Sequence, residues 1–478
     1  MTRLYKERIK TWLLILLMAL SVIQIGIHLN RQGQGFPIRF ITPIFRRTYS
    51  YSPVNTETIK DRYFVPKSLV VSRGPTASKW KINEGDTYFG RIWEDINKNY
   101  LPQIINQKPE KILSKEEWPN ITSVRCIQID FSVNWPAEII LWFENKKPGD
   151  SPVFNSIKSI AILPAYDVNR SVNTICIYDG EQVYQYTVNI RGNFLSKKFY
   201  MELADQLSYE DKPEYDALSE MGGFKASEDV LVPVSSANVV RFPSLLVKIP
   251  DDIVLNVENL ENESIQENIL LARKDSLMAK YNEDTGQVIF TDTENVYRLY
   301  DDGTLEYRYL PTSNMQAGDI STAFSHAISY IESRRKLIGD AELELTDIEE
   351  TDKYYEMHFD YKYRGKPVYY SDINADKRIT SPLVIRANDT RVLECRWIVR
   401  FITEAGHLKN YFLDFSVLIN NQIPSILPEI MESGKDLIFS RMEPGYVFDI
   451  NSKNREKLLH WIISTDTKDY FIPVLEDR

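Results

Sequence analysis

From residue 67 onward the chain is written mostly in period two, in short apolar or alternating runs closed by Gly, Pro, Asn or Asp. That is the pattern of strands joined by tight turns. CIQIDFSV (126–133), EIILWF (138–143), SIAILP (159–164), TICIYD (174–179) and VYQYTVNI (183–190) are expected as strands. Asp179-Gly180 marks a hairpin turn between the last two. VIFTDTENVYRLYDDGTLEYRYLP (288–311) predicts a second hairpin system, in which Leu305, Tyr307 and Tyr309 alternate with Glu306 and Arg308 after Asp301-Asp302-Gly303. ELELTDIEE (342–350), FDYKYRGKPVYY (359–370), LVIRA (383–387) and RVLECRWIVRF (391–401) continue as a meander.

Two stretches break the alternation. Asp86 caps TYFGRIWEDINKNY (87–100), where Phe89, Ile92, Trp93 and Ile96 recur at helical spacing. Asp319 precedes ISTAFSHAISYIESRR (320–335), where Ile320, Phe324, Ala327, Ile328 and Ile331 form one stripe. His326 points away from that stripe and is expected at the surface. A helix followed by a meander predicts helices packed on antiparallel sheets, an α+β class. Around the 359–370 hairpin, Met357, Phe359, Tyr361 and Tyr363 share one face and are expected to bury. His358, Asp360, Lys362 and Arg364 share the other, expected as a mixed-sign solvated face.

The N-terminus reads differently. IKTWLLILLMALSVIQIGIHL (9–29) contains no acidic residue and is long enough to span a bilayer. Its apolar run continues past Ala19-Leu20-Ser21, so an uncleaved anchor is favoured over a signal peptide. Arg3, Lys6, Arg8 and Lys10 precede it, and Arg31, Arg39, Arg46 and Arg47 follow. The arrangement expected is a cytoplasmic N-terminus, a single pass and an extracytoplasmic bulk at the cell membrane. The 478 residues then divide as tail and anchor (1–30), juxtamembrane linker (31–66), α+β domain (67–205), β-rich middle domain (206–318) and C-terminal α+β domain (319–478). The acidic stretch YEDKPEYDALSEMGGFKASED (209–229) is expected as a separator.

Charge narrows the partners. The formal net charge is −10; residues up to Arg47 carry eight basic side chains against Glu7, or +7, which leaves −17 on the rest. Such an acidic body excludes nucleic acid, whose phosphates require clustered Lys and Arg. The three cysteines, Cys126, Cys176 and Cys395, fit neither a disulfide framework nor a CxxC metal site, and they read as buried apolar residues. A Cys126–Cys176 bridge is the alternative. None of the five histidines has HExxH spacing, and no GxSxG, GxGxxG or GxxxxGK motif occurs. Ser333-Arg-Arg-Lys336 spells S-x-x-K at a helix end, with no KTG after it. The Asp372-Ile373-Asn374-Ala375-Asp376 loop offers alternate oxygen ligands for a cation, but Lys377 and Leu383 stand where an EF-hand has Gly and Glu. No catalytic, cofactor or metal constellation emerges, so a non-enzymatic protein is expected.

A basic tail, one membrane helix and a large outer part resemble the YycH family of Gram-positive bacteria. The resemblance is carried by VIFTDTENVYRLYDDGTLEYRYLP, by FDYKYRGKPVYY…SPLVIRANDTRVLECRW and by EPGYVFDI…DYFIPVLED (443–477). The C-terminal part is similar to the domain that YycH shares with YycI and PepSY-like proteins. The resemblance implies a non-enzymatic regulator of a WalK/YycG-type sensor histidine kinase, within a two-component system controlling cell-wall metabolism. It also implies contact between the membrane helices and pairing of the outer part with a YycI-like protein. Ala19, Ser21 and Gly26 would permit close helix approach, with Gln24 as a hydrogen-bonding group. The alternative is an anchored PepSY-like module that inhibits a secreted peptidase or wall hydrolase.

Overall fold

The computed structural model describes residues 55–478, except 76, 78, 147–152, 165–171, 190–193, 211, 221–224, 227–229, 235–238, 252, 254–268, 271–278, 284–286, 293, 311–314, 373–376, 379–380, 414–417, 419–437, 450–455, 466–468 and 477–478. Ser68–Ser72 carries the apolar run Leu69-Val70-Val71 between two serines, and it is buried along its whole length. It therefore lies inside a nine-stranded sheet, paired on one side with Lys79–Ile82 and on the other with Cys126–Pro136. Beyond Cys126–Pro136 the sheet meanders through Ser156–Pro164, Val172–Tyr178 and Gln182–Asn189 to Lys111–Ser114. The expected hairpin turn is present: Gly180 takes φ +103°, and the Asp179 carboxylate accepts from Glu181 N at 2.9 Å and Gln182 N at 2.7 Å.

The large sheet has fourteen strands and is mostly antiparallel. Gln287–Thr291, Asn295–Tyr300 and Thr304–Tyr309 lead into Val392–Ile398, Leu383–Ala387, Tyr355–Tyr363 and Lys366–Asp372. The last pairs in parallel with Ile438–Asp449, which Leu459–Thr465 and Asp469–Pro473 extend. Since Thr304–Tyr309 pairs with Val392–Ile398, this sheet runs across the boundary drawn at 318/319. Val239–Lys248 and Phe401–Phe412 form the centre of a small third sheet.

Both expected helices are present. The Asp86 side chain accepts from Tyr88 N at the start of Thr87–Asp95, and Asp319 accepts from Thr322 N at the start of Ile320–Glu332. His326 is half-buried rather than exposed, because the Asn388-Asp389 turn packs beside it. Burial lowers its pKa, with the Asp389 carboxylate opposing.

Three expectations are corrected. EIILWF is the helix Ala137–Phe143, not a strand, with Ala137, Ile139, Ile140, Leu141 and Phe143 buried. A continuous apolar run carries no period, and surroundings that bury it nearly all round suit a helix equally well. The acidic segment is not a separator. Its Glu214–Ala217 adds to the nine-stranded sheet, and its Lys225–Ala226 pairs with Ile438–Asp449 of the large one. Finally, the end of the expected linker is the helix Thr56–Tyr63, capped by Asn55, and Phe64 behind it is 0% exposed.

Phe64 stacks on Phe131 at 5.1 Å between ring centroids and meets Trp93, Trp135 and Phe143. Phe324 of the Ile320–Glu332 helix joins the same cluster, 5.8 Å from Trp135 and 6.2 Å from Phe143. One aromatic core thus runs from the nine-stranded sheet to the helix of the large sheet, and rings of this size carry a large share of the burial energy.

Residues 9–29, with Ala19, Ser21, Gln24 and Gly26, lie outside the described residues. Among the described residues no helix is long and apolar enough to cross a membrane.

Candidate functional site: a cationic cavity between two sheets

The 359–370 hairpin turns through Arg364 and Gly365, both at positive φ (+47° and +72°), as a two-residue primed turn requires. A Cβ on Gly365 would come within 2.9 Å of the Glu84 Cβ, so the turn is pressed against the other sheet. The aromatic face buries as expected: Met357, Phe359, Tyr361 and Tyr363 are at most 3% exposed. Tyr361 Oη donates to Ile398 O at 3.2 Å and accepts from Trp397 Nε1 at 2.9 Å.

The opposite face is the correction that matters here. Lys362 is 8% exposed, with Nζ 2.7 Å from Glu84, and Asp360 lines a cavity beside it. Asp360 and Lys362 are covered by the nine-stranded sheet rather than by water, while Arg364 at the turn is exposed as expected. Alternation alone shows which side chains share a face, but not what lies opposite.

The cavity is about 500 Å³. Lys67, Lys81 and Lys158 enter from the nine-stranded sheet, and Lys362, Lys366 and Arg441 from the large one. Against these six cations stand three carboxylates in the lining, Glu344, Asp360 and Glu443, with Glu84 on Lys362 and Asp130 facing Lys67 and Lys81 just behind it, so cations outnumber carboxylates in a chain of net −10. Ser132 Oγ donates to Glu344 at 2.8 Å and ties the two walls together.

Glu443 is the electrostatic centre. Burial by itself would raise its pKa, but Lys67, Arg441, Lys81 and Lys366 hold it down to about 2. Arg441 Nε lies 3.4 Å from it. Lys366 is 8% exposed, and burial followed by repulsion from Lys81 lowers its pKa to about 8. Lys81 is lowered by burial too, with Glu443 and Asp130 opposing. Burial raises Asp130, although Gln128 and Ser159 donate to it at 2.9 and 2.8 Å. Among the described residues no carboxylate lies within ion-pair distance of the Lys67, Lys81 or Lys366 ammonium; Lys366 instead reaches over the Phe242 ring at 5.4 Å.

Ser381 also lines the cavity and has a neighbour set that the sequence did not suggest. Its Oγ is 3.1 Å from His358 Nδ1, and His358 Nε2 is 3.1 Å from Glu356. The types match a hydrolytic relay, but the supporting parts do not. Pro382 follows Ser381 and has no N–H to help form an oxyanion hole, and Arg386 engages the Glu356 carboxylate. The chain is a polar network at the cavity rim. Glu356 and His358 are two apart on one strand, which was legible; Ser381 is brought in by the adjacent strand, which was not.

The remaining sequence candidates separate. Cys126, Cys176 and Cys395 are all free and buried, and burial pushes each thiol up to about 12, so none is a reactive thiolate at neutral pH. The Cys126–Cys176 alternative is thereby removed; Ser156–Pro164 runs between their strands. Ser333 Oγ donates to Tyr330 O at 2.7 Å, while Arg334 is 0% exposed, bonded to Ile269 O at 2.8 Å and set 3.7 Å over the Tyr330 ring. That motif closes a helix. Residues 373–376 of the candidate cation loop lie outside the described residues; among the described residues no three His, Cys, Asp or Glu side chains are grouped to hold a metal ion.

These features define an α+β protein of mostly antiparallel sheets around a cationic cavity. Its fold is like that of YycH from Bacillus subtilis, whose crystal structure superposes with a TM-score of 0.52 over 88% of this chain and 97% of that one, at 10% sequence identity. An uncharacterized protein from Eubacterium rectale matches 53% of this chain and 89% of its own at a TM-score of 0.32 and 13% identity. No family model matches the sequence. No curated protein matches it either.

Proposed function

We propose that this chain is a membrane-anchored, non-enzymatic regulator of a sensor histidine kinase in a two-component system of cell-wall control. The observation that carries the reading is the YycH-like fold, extending over 88% of the chain. It agrees with the family resemblance of the 288–311, 359–397 and 443–477 motifs, although overall identity is only 10%. The apolar run at 9–29 supplies the anchor, with the N-terminus cytoplasmic and the bulk extracytoplasmic. Ala19, Ser21 and Gly26 let a second helix approach closely, and Gln24 adds an interhelical hydrogen bond. The outer sheets pair with a YycI-like protein.

The test is affinity purification of the full-length protein from gently cross-linked native membranes, with partners identified by mass spectrometry. A sensor kinase and a YycI-like protein should co-purify, and the kinase should be lost when residues 9–29 are replaced by an unrelated membrane helix. Enrichment of a wall hydrolase or peptidase, with neither expected partner, would sink the reading in favour of a PepSY-like inhibitor.

A further inference from the structure

We propose that the cavity between the two sheets is a binding site for a phosphorylated small molecule, its phosphate held by Lys81, Lys366, Lys67 and Arg441. The site goes beyond the regulator reading and does not depend on it.

The argument begins with a conflict. Three lysines and an arginine converge on Glu443, with the buried Asp130 the other carboxylate facing Lys67 and Lys81, and no described carboxylate is within ion-pair distance of Lys67, Lys81 or Lys366. Burying like charges together costs free energy unless a counter-charge joins them. Lys366 is more than nine-tenths buried and lines the cavity without an ion-pair partner. It responds as a cation short of counter-charge: burial and Lys81 make it easier to deprotonate, with Glu443 opposing. A bound anion would reverse that response.

Geometry selects the kind of anion. Lys67 and Lys81 come from the nine-stranded sheet, Lys366 from the hairpin and Arg441 from the strand parallel to it. Charges arriving from several directions suit a tetrahedral phosphate, which accepts on all sides. A planar carboxylate is better matched by a single arginine fork. At about 500 Å³ the cavity has room for more than the phosphate, and Phe131, Met442 and Trp461 give it apolar wall for an organic remainder.

The experiment is calorimetric titration of the purified full-length chain with inorganic phosphate, glycerol 3-phosphate and acetate at one ionic strength. Both phosphates should bind saturably at one site per chain. Lys81→Met and Lys366→Met should each weaken them at least ~tenfold, the loss expected for a charge-assisted bond. Lys98→Met, at an exposed helix position, should change nothing. Because a variant can misfold, a second readout uses the unaltered protein: phosphate should protect Lys81 and Lys366, but not Lys98, from reductive methylation followed by mass spectrometry. The proposal is overturned if neither phosphate gives a saturable signal, if acetate binds as well as phosphate, or if Lys81 and Lys366 are methylated equally with and without it.

Discussion

Glu443 and Lys366 share one cluster, yet they tie stability to pH in different windows. Glu443 has its carboxyl lowered from the usual 4.5 to about 2 by the surrounding cations. Its contribution is present above pH 4.5 and is lost as pH falls from there through 2, because the unfolded chain takes up the proton first. Lys366 is lowered from 10.5 to about 8, so the folded chain releases its proton first on raising the pH, and stability from this group rises between pH 8 and 10.5. Glu443→Gln should therefore destabilise the protein by about 3 kcal/mol at pH 7, since it strands four cations around a neutral amide. Urea denaturation at pH 7 and pH 3 measures this, and the difference between variant and parent should shrink at the lower pH. Lys366→Met should flatten the pH 8–10.5 rise in the same assay; a rise left intact would mean that the depressed lysine lies elsewhere. None of this was legible beforehand, because the strand alternation that paired Asp360 with Lys362 could not reveal that a second sheet covers both.

Individual elements were legible wherever a local signal has a local cause. Asp319 before an apolar stripe is such a case: its carboxylate accepts from Thr322 N at 2.8 Å and holds the first turn of Ile320–Glu332. Asp319→Ala should lower stability by about 1 kcal/mol, read as a drop in melting temperature, whereas Asp319→Asn should recover most of it by keeping a side-chain acceptor. The Asp179-Gly180 and Arg364-Gly365 turns were legible for the same reason, from glycines that adopt positive φ without a Cβ clash. The Ala137–Phe143 helix was not. Pro136 ends the preceding strand, and the apolar residues after it would be buried in either conformation; contact of Phe143 with Phe64, Trp135 and Phe324 selects the helix.

Across the whole molecule that same aromatic cluster couples the two sheets. Phe324 is 0% exposed and touches rings contributed by Cys126–Pro136 and Ala137–Phe143. Phe324→Ala should cost about 3–5 kcal/mol. The loss should appear in both sheets together: hydrogen exchange should accelerate in Ser156–Pro164 as well as in Val392–Ile398. Acceleration confined to the large sheet would show that the two fold as separate units. Strand periodicity, turn residues, helix caps and the long apolar run at 9–29 were determined by the chain alone, because each depends on neighbours within a few residues. The α+β class followed from them. The assembly of the cationic cavity was decided only in three dimensions. Lys67, Lys81, Lys366 and Arg441 are separated by up to hundreds of residues, and each looks like an ordinary surface charge until pairing and packing set two sheets face to face.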